Sequence, residues 1–234
     1  MILTVSNTLP GKEMILEFSS VDFSYSTHKV LDKTDFEVEQ GEFVYMVGKS
    51  GCGKSTLLQM CYFNLLPDSG EVKVAGYSSK DASPKSIPGL RQKLGIVFQD
   101  FKLLSDRTVY ENLAYILEIN NYPSKKIRNR VETVLKELGI LHLKNAYPKT
   151  LSGGEQQRTA IGRAIVNEPL LVIADEPTGN LDPQTSGEIV TLLRSINIKG
   201  TAVLLATHNY DLIDPNCRIL RLEAGKVTQV RVKA

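Results

Sequence analysis

The 234-residue sequence predicts an α/β fold with a largely parallel core sheet, an antiparallel β region in its first third and a helical segment inserted in its middle. Three observations carry this. Short apolar runs alternate with helical patterns at both ends of the chain. Strand signals vanish between about 99 and 150 and return afterwards. With 42% hydrophobic and 23% charged residues, the composition is that of an ordinary globular chain, which excludes a disordered or collagen-like one.

The elements follow in order. ILEFSSVDFSY (15–25), TDFEVE (34–39) and EVKVA (71–75) read as half-buried strands, with turn signals at Gln40-Gly41 and Asp68-Ser69-Gly70. FVYMV (43–47) is a continuous apolar run, as expected of a strand buried on both faces. A glycine-rich turn follows, then a helix, STLLQMCYFNLL (55–66). Helical patterns at 108–118 and 125–138 are separated by Asn120-Asn121-Tyr122-Pro123, and Gly139 closes the second as a C′ residue. A helix at about 153–166 leads to the buried strand LLVIA (170–174). A helix at about 184–196 buries Ile189, Leu192, Leu193 and Ile196; TAVLLAT (201–207) is another buried strand, and the chain ends in a hairpin around Ala224-Gly225.

Several function classes drop out. No apolar run reaches the roughly 18–20 residues of a spanning helix, and the first residues lack a basic start followed by an apolar stretch, so neither a membrane-spanning nor an exported chain is expected. Lys and Arg total 28 against 26 Asp and Glu, which argues against a dedicated nucleic-acid binder. The basic run KKIRNR (125–130) reads as the solvated side of a helix whose apolar side is Ile127, Val131, Val134, Leu135 and Leu138. Cys52, Cys61 and Cys217 are an odd number without metal-ligand spacing and suit a reducing compartment.

Gly48-Lys49-Ser50-Gly51-Cys52-Gly53-Lys54-Ser55 fits G-x-x-x-x-G-K-[ST] between a buried strand and a helix. Glycines let successive N–H groups converge on phosphate oxygens, and the helix N-terminus adds free donors and partial positive charge. Lys54 can reach the β- and γ-phosphates, and the Ser55 hydroxyl can ligate Mg²⁺. The strand ending in Asp175-Glu176 delivers two carboxylates where open α/β sheets bind ligands: Asp175 toward the Mg²⁺ shell, Glu176 toward an attacking water. Ser152 and Glu155 form a capping box at a helix start. The intervening Gly153-Gly154 leaves that start bare enough to meet an anion, which suggests a γ-phosphate held by another subunit.

LSGGEQQR, ADEPTGNLD, Gln99 in VFQD and His208 in ATH stand in the order found in the ATP-binding cassette (ABC) ATPases, which the chain resembles from about 15 to 229. Within that family FQDFKLLSDRTVYENLAYIL (98–117) is most similar to the FtsE branch. The resemblance implies a P-loop NTPase (RecA-like) core with an N-terminal antiparallel β-subdomain and an inserted α-helical subdomain at about 99–155, within an ATPase domain at 14–234; residues 1–13 are then either a short N-terminal extension or lie upstream of a true start at Met14. It implies that Tyr25 stacks on adenine, that Gly48 to Thr56 hold the phosphates, and that Gln99 touches Mg²⁺ and the water. Ser152, Gly153, Gly154 and Glu155 would close on ATP of the opposite protomer with Asp182 at the seam. Glu176 would be the general base and His208 the partner of the γ-phosphate. Asn209 stands where an Asp is common, and Cys52 occupies a variable position of the loop.

The cofactors so implied are ATP and Mg²⁺. The partners are a second copy and a separate FtsX-like transmembrane protein, placing the chain on the inner face of the cell membrane; no nucleic acid is expected. Phe101, Leu103, Leu104, Val109, Tyr110 and Leu113 are the expected docking surface for that partner. The alternatives are a lipoprotein-releasing or macrolide-type export ATPase and a nucleotide-gated scaffold with little turnover.

Overall fold

The computed structural model describes residues 13–231, so the expected extension lies outside the described residues except for Glu13. In chain order the elements are β1 (Met14–Tyr25), β2 (His28–Glu39), β3 (Phe43–Val47), α1 (Lys54–Cys61), β4 (Ser69–Val74), β5 (Tyr77–Ser78), α2 (Ile87–Gln92) and β6 (Leu94–Val97). There follow α3 (Val109–Ile119), α4 (Ser124–Glu137), α5 (Gly153–Ile165), β7 (Leu171–Asp175), α6 (Pro183–Ile198), β8 (Ala202–Thr207), β9 (Arg218–Glu223) and β10 (Lys226–Val230). None of the described helices is long and apolar enough to cross a membrane.

Two sheets result. One is antiparallel in the order β2-β1-β4-β5; the other runs β10-β9-β3-β8-β7-β6, parallel throughout except for β10. The period of two along a strand, with both sheet faces covered, explains why β3 and all but the last residues of β7 and β8 are apolar. Val44 and Met46 of β3, Leu171 and Ile173 of β7, and Leu204 and Ala206 of β8 pack with α1 and the antiparallel sheet. The intervening Tyr45, Val172 and Leu205 pack with α3 to α6 on the other face. Registers Val47↔Thr207, Asp175↔Ala206 and Val97↔Ala174 align the C-terminal ends of β3, β8, β7 and β6. That row of strand ends carries the glycine loop, His208, Asp175-Glu176 and Gln99.

Helix α3 starts in a capping box, with the Thr108 hydroxyl accepting from the Glu111 amide at 3.2 Å and the Thr108 amide donating to the Glu111 carboxylate at 2.7 Å. Its buried residues Val109, Leu113 and Leu117 repeat every fourth position and face Val131, Val134, Leu135, Leu138 and Ile161. Val109 and Leu113 are thus interior, not docking residues; Phe101, Leu103, Leu104 and Tyr110 remain half-buried. Gly139 closes α4 at φ 71° as expected. Helix α1 stops short of the expected 66, and the chain turns sharply at Phe63, φ 51°.

Candidate active site

The glycine loop leaves β3 and enters α1, whose N-cap Gly53 has φ 105° and whose first turn has neither a side-chain cap nor an acidic residue. The free amides there are open to an anion. At Gly48 the backbone passes so close that an added Cβ would lie 2.6 Å from both the Cys52 sulfur and the Leu222 carbonyl oxygen, so no larger residue fits. Gly53 is equally tight against Val30, which brings the β1–β2 hairpin onto the loop. Tyr25, at the end of β1, is 48% exposed and sits edge-on to Phe23 at 4.9 Å. It offers a free ring face beside that hairpin. Lys49, Ser50 and Gly51 form the exposed tip, Cys52 is half-buried, and Thr56 is turned inward.

Lys54 is buried at 5% exposure, with its ammonium donating to the Gly48 carbonyl at 2.9 Å and the Lys49 carbonyl at 3.3 Å. The same nitrogen lies 3.4 Å from Glu176 Oε1. Glu176 leaves β7 in the left-handed region, φ 47°, with its amide bonded to the Ala206 carbonyl at 2.9 Å. Its second oxygen meets His208 Nδ1. Glu176 is thus gripped from two sides by residues of two other strand ends, in a conformation that side-chain-bearing residues adopt at a cost. Asn209 braces the turn after His208, its side-chain oxygen accepting from the Asp211 amide at 3.0 Å.

Asp175 precedes Glu176, and its Oδ1 is buried with no hydrogen-bond partner. An orphaned carboxylate oxygen beside the Ser55 hydroxyl and the Gln99 amide, at one end of a cleft of ≈ 740 Å³ also lined by Asn180, is an oxygen-donor set suited to a hard divalent cation. No cluster of three His, Cys, Asp or Glu among the described residues could hold a metal by itself. Mg²⁺ takes one or two carboxylates and completes its shell with phosphate oxygens and water, and the Asp175, Ser55 and Gln99 oxygens fit that requirement.

Burial pushes the Asp175 carboxyl above its ordinary value; a Ser55 hydrogen bond opposes this, the Glu176 charge adds to it, and the Lys54 charge opposes it. The folded chain therefore holds a proton there more tightly than the unfolded chain. This contribution to stability is full below the ordinary carboxylate value of about 4 and is lost as pH rises through the raised folded value. Asp175→Asn should accordingly melt higher than the native chain at pH 7.5 without nucleotide or divalent cation, by about 2–4 °C per kcal/mol relieved. The gap should close towards pH 4. Coincident melting curves at pH 7.5 would show that the buried charge is no burden.

Ser152 caps α5, its hydroxyl donating to Glu155 at 2.7 Å and its amide to the same carboxylate at 2.8 Å; these bonds hold the Glu155 carboxyl below its ordinary value. Gly153 and Gly154 also permit a close approach within the chain, since a Cβ on Gly154 would lie 2.8 Å from Thr185 Cγ2 and one on Gly153 would lie 3.1 Å from Leu181. Packing thus adds a second reason for those glycines beside anion binding. Asp182 caps α6 through the Thr185 amide at 3.0 Å, which keeps its carboxyl below its ordinary value. No described hydrogen bond joins Ser152–Glu155 or Asp182 to this chain's glycine loop. The structure thus gathers Lys54, Ser55, Gln99, Asp175, Glu176 and His208 at one row of strand ends, with Ser152–Glu155 and Asp182 side by side elsewhere. Two asparagines were missed. Asn180 donates to the Gln99 carbonyl at 3.2 Å, and buried Asn112 bonds the Leu104 amide and the carbonyls of Leu104, Arg107 and Thr108, ordering the loop before α3. Asn in GNLD was visible as a signal; an Asn inside a helical run gave none.

Comparison with known proteins matches residues 31–179 to the ABC transporter family. The cell division ATP-binding protein FtsE of Streptococcus pneumoniae serotype 2 is 48% identical over 82% of this chain and 84% of its own length. Among solved structures, cbiO1 from Clostridium perfringens, part of an ABC transporter complex, superposes with a TM-score of 0.86 at 34% identity, covering 93% of this chain and 88% of that one. An ATP-binding cassette solved as a dimer in a post-hydrolysis state with ADP and phosphate gives a TM-score of 0.81 at 31% identity, covering 94% of this chain and 99% of that one. With the glycine loop, the carboxylate pair and the signature helix start all in place, the chain belongs to the ABC transporter family of ATPases and, within it, to the FtsE proteins.

Proposed function

We propose that this ATPase drives an FtsE-type complex in which two copies close on two ATP molecules and pass that closure to a separate FtsX-like membrane protein, switching on cell-wall hydrolases at division. The observation that carries the hydrolytic assignment is the meeting of Glu176 with Lys54 and His208 beside the unpaired oxygen of Asp175. Tyr25 stacks on adenine. Gly48, Lys49, Ser50, Gly51, Cys52, Gly53, Lys54, Ser55 and Thr56 surround the phosphates with amides, the ammonium and hydroxyls. Ser55, Gln99 and Asp175 would hold Mg²⁺, which when bound would neutralise charge on the phosphate oxygens. Glu176 takes a proton from the water that attacks the γ-phosphorus, while the bond from that phosphorus to the β-bridging oxygen breaks and ADP leaves. His208 orients Glu176 and bonds the γ-phosphate.

Ser152, Gly153, Gly154 and Glu155 present the start of α5 to ATP on the other copy, with Asp182 at the seam. The γ-phosphate therefore biases a two-state dimer, and its loss on hydrolysis reopens it. The helical subdomain spans about 99–155 within an ATPase domain at 14–234. An apolar groove of ≈ 550 Å³ between β6 and α3, lined by Phe98, Leu104, Tyr115, Ile116 and Ile119, receives the membrane partner and keeps the chain on the inner face of the cell membrane. The test is capture of ATP-loaded Glu176→Gln from its own membranes, with mass spectrometry of what co-purifies. A four-helix membrane protein with a large outer domain and hydrolase contacts is the expected result. A permease carrying lipoproteins or small export substrates would move the chain to the transport reading.

A further inference from the structure

The loop leaving β6 places Gln99 and then two consecutive side-chain-bearing residues in the left-handed region, Phe101 at φ 57° and Lys102 at φ 47°. Residues with a Cβ adopt that conformation at a cost, and a pair of them persists only where the surroundings hold it. Beside the turn bonds from the Phe101 amide to the Phe98 carbonyl and from the Lys102 amide to the Asp100 carbonyl, Arg163 on α5 holds it from outside the loop. Its Nη2 donates to the Phe101 carbonyl at 2.9 Å and its Nη1 donates to the Lys102 carbonyl. A guanidinium presents its donors in a planar fork, so that two separate nitrogens meet the two carbonyls at a fixed spacing. Burial alone acts on the Arg163 pKa, lowering it, and no carboxylate contributes among the described residues. The cation is directed at the loop backbone, not at a counter-ion.

Both ends of this clamp are fixed. Gly162, next to Arg163, lets α5 lie so close to its neighbours that an added Cβ would come 2.7 Å from Leu138 and 3.1 Å from Leu113. At the other end the Gln99 carbonyl accepts from Asn180, and the Gln99 side-chain nitrogen stands 3.1 Å from where a Gly179 Cβ would be.

We infer that Arg163 is a positioning residue for ATP hydrolysis, holding the Phe101-Lys102 bend so that the Gln99 side chain stands in the cleft beside Asp175. This rests on the role given above to Gln99. The experiment compares full-length Arg163→Gln, Arg163→Lys, Arg163→Gln with Lys102→Gly, and Gln99→Ala for kcat, KM, fluorescent-ATP affinity and melting temperature. Arg163→Gln should lower kcat about tenfold or more, as misplacement of a reacting group does, with nucleotide affinity held within about twofold. Arg163→Lys should recover little of the rate. Adding Lys102→Gly should recover much of it, because glycine takes a positive φ freely, and the Lys102 side chain makes only an exposed ion pair with Asp100 at 3.7 Å and a contact over the Phe98 ring at 5.3 Å. Native kcat in Arg163→Gln, or a loss that follows a lowered melting temperature and is not rescued by Lys102→Gly, overturns the inference. Native kcat in Gln99→Ala overturns instead the role of Gln99 on which it rests.

Discussion

Glu176→Gln should bind ATP as tightly as the native chain and hydrolyse it about 10²–10⁴-fold more slowly. The amide has nearly the shape of the carboxylate, so the backbone at φ 47° and the contacts of the side chain with Lys54 and His208 can persist. What it cannot do is accept a proton from water. Lys54 loses a charged neighbour at 3.4 Å, which leaves its ammonium freer to turn towards phosphate, so affinity should hold or rise. Because the γ-phosphate is not removed, the ATP-loaded variant should accumulate as a dimer. Single-turnover hydrolysis, equilibrium nucleotide titration and size-exclusion chromatography read the three consequences separately. A native rate would remove Glu176 as the base. Lost ATP binding would mean that its charge serves mainly to hold Lys54 in place.

The same site shows what the sequence could and could not reveal. The placement of Lys54-Ser55 and of Asp175-Glu176 was legible because each depends on short-range geometry: a glycine turn feeding a helix, and a carboxylate pair at the end of an apolar strand. That His208 meets Glu176 depends on β8 lying beside β7 in register Asp175↔Ala206, and sheet order leaves no mark on a single segment. Strand β6 escaped notice because LGIV is only four residues and carries a glycine. Gly95 is there for packing, since a Cβ would lie 2.5 Å from the Ala164 carbonyl oxygen of α5. Val109 and Leu113 were read as surface because an apolar helix face looks the same whether it meets a partner or its own subdomain. Only the placement of α4 and α5 decides between them. Arg163 and Asn112 act on loop carbonyls distant or unpatterned in sequence, and no periodicity betrays such bonds.

Lys54→Ala should leave a folded chain that no longer binds ATP usefully, with affinity reduced about 10²-fold or more. The ammonium is expected to make two charge-assisted bonds to the β- and γ-phosphates, and hydrogen bonds to charged groups contribute about 1.5–3 kcal/mol each. Their sum of about 3–6 kcal/mol, at 1.4 kcal/mol per tenfold, corresponds to a loss of about 10²–10⁴-fold. The lower figure is the sounder expectation because Lys54 is already bonded in the free chain, to the Gly48 and Lys49 carbonyls, and must exchange those bonds for phosphate. The same bookkeeping keeps the stability change small. Truncation strands two loop carbonyls, which costs, but it also removes a cation held at 5% exposure, whose desolvation opposed folding. Lys54→Arg should not rescue binding, since a planar fork does not fit where a compact ammonium points into a closed turn. Fluorescent-nucleotide titration beside a melting curve separates the two effects. Affinity within a few-fold of native in a folded Lys54→Ala protein would mean that the loop amides and the start of α1 bind the phosphates unaided.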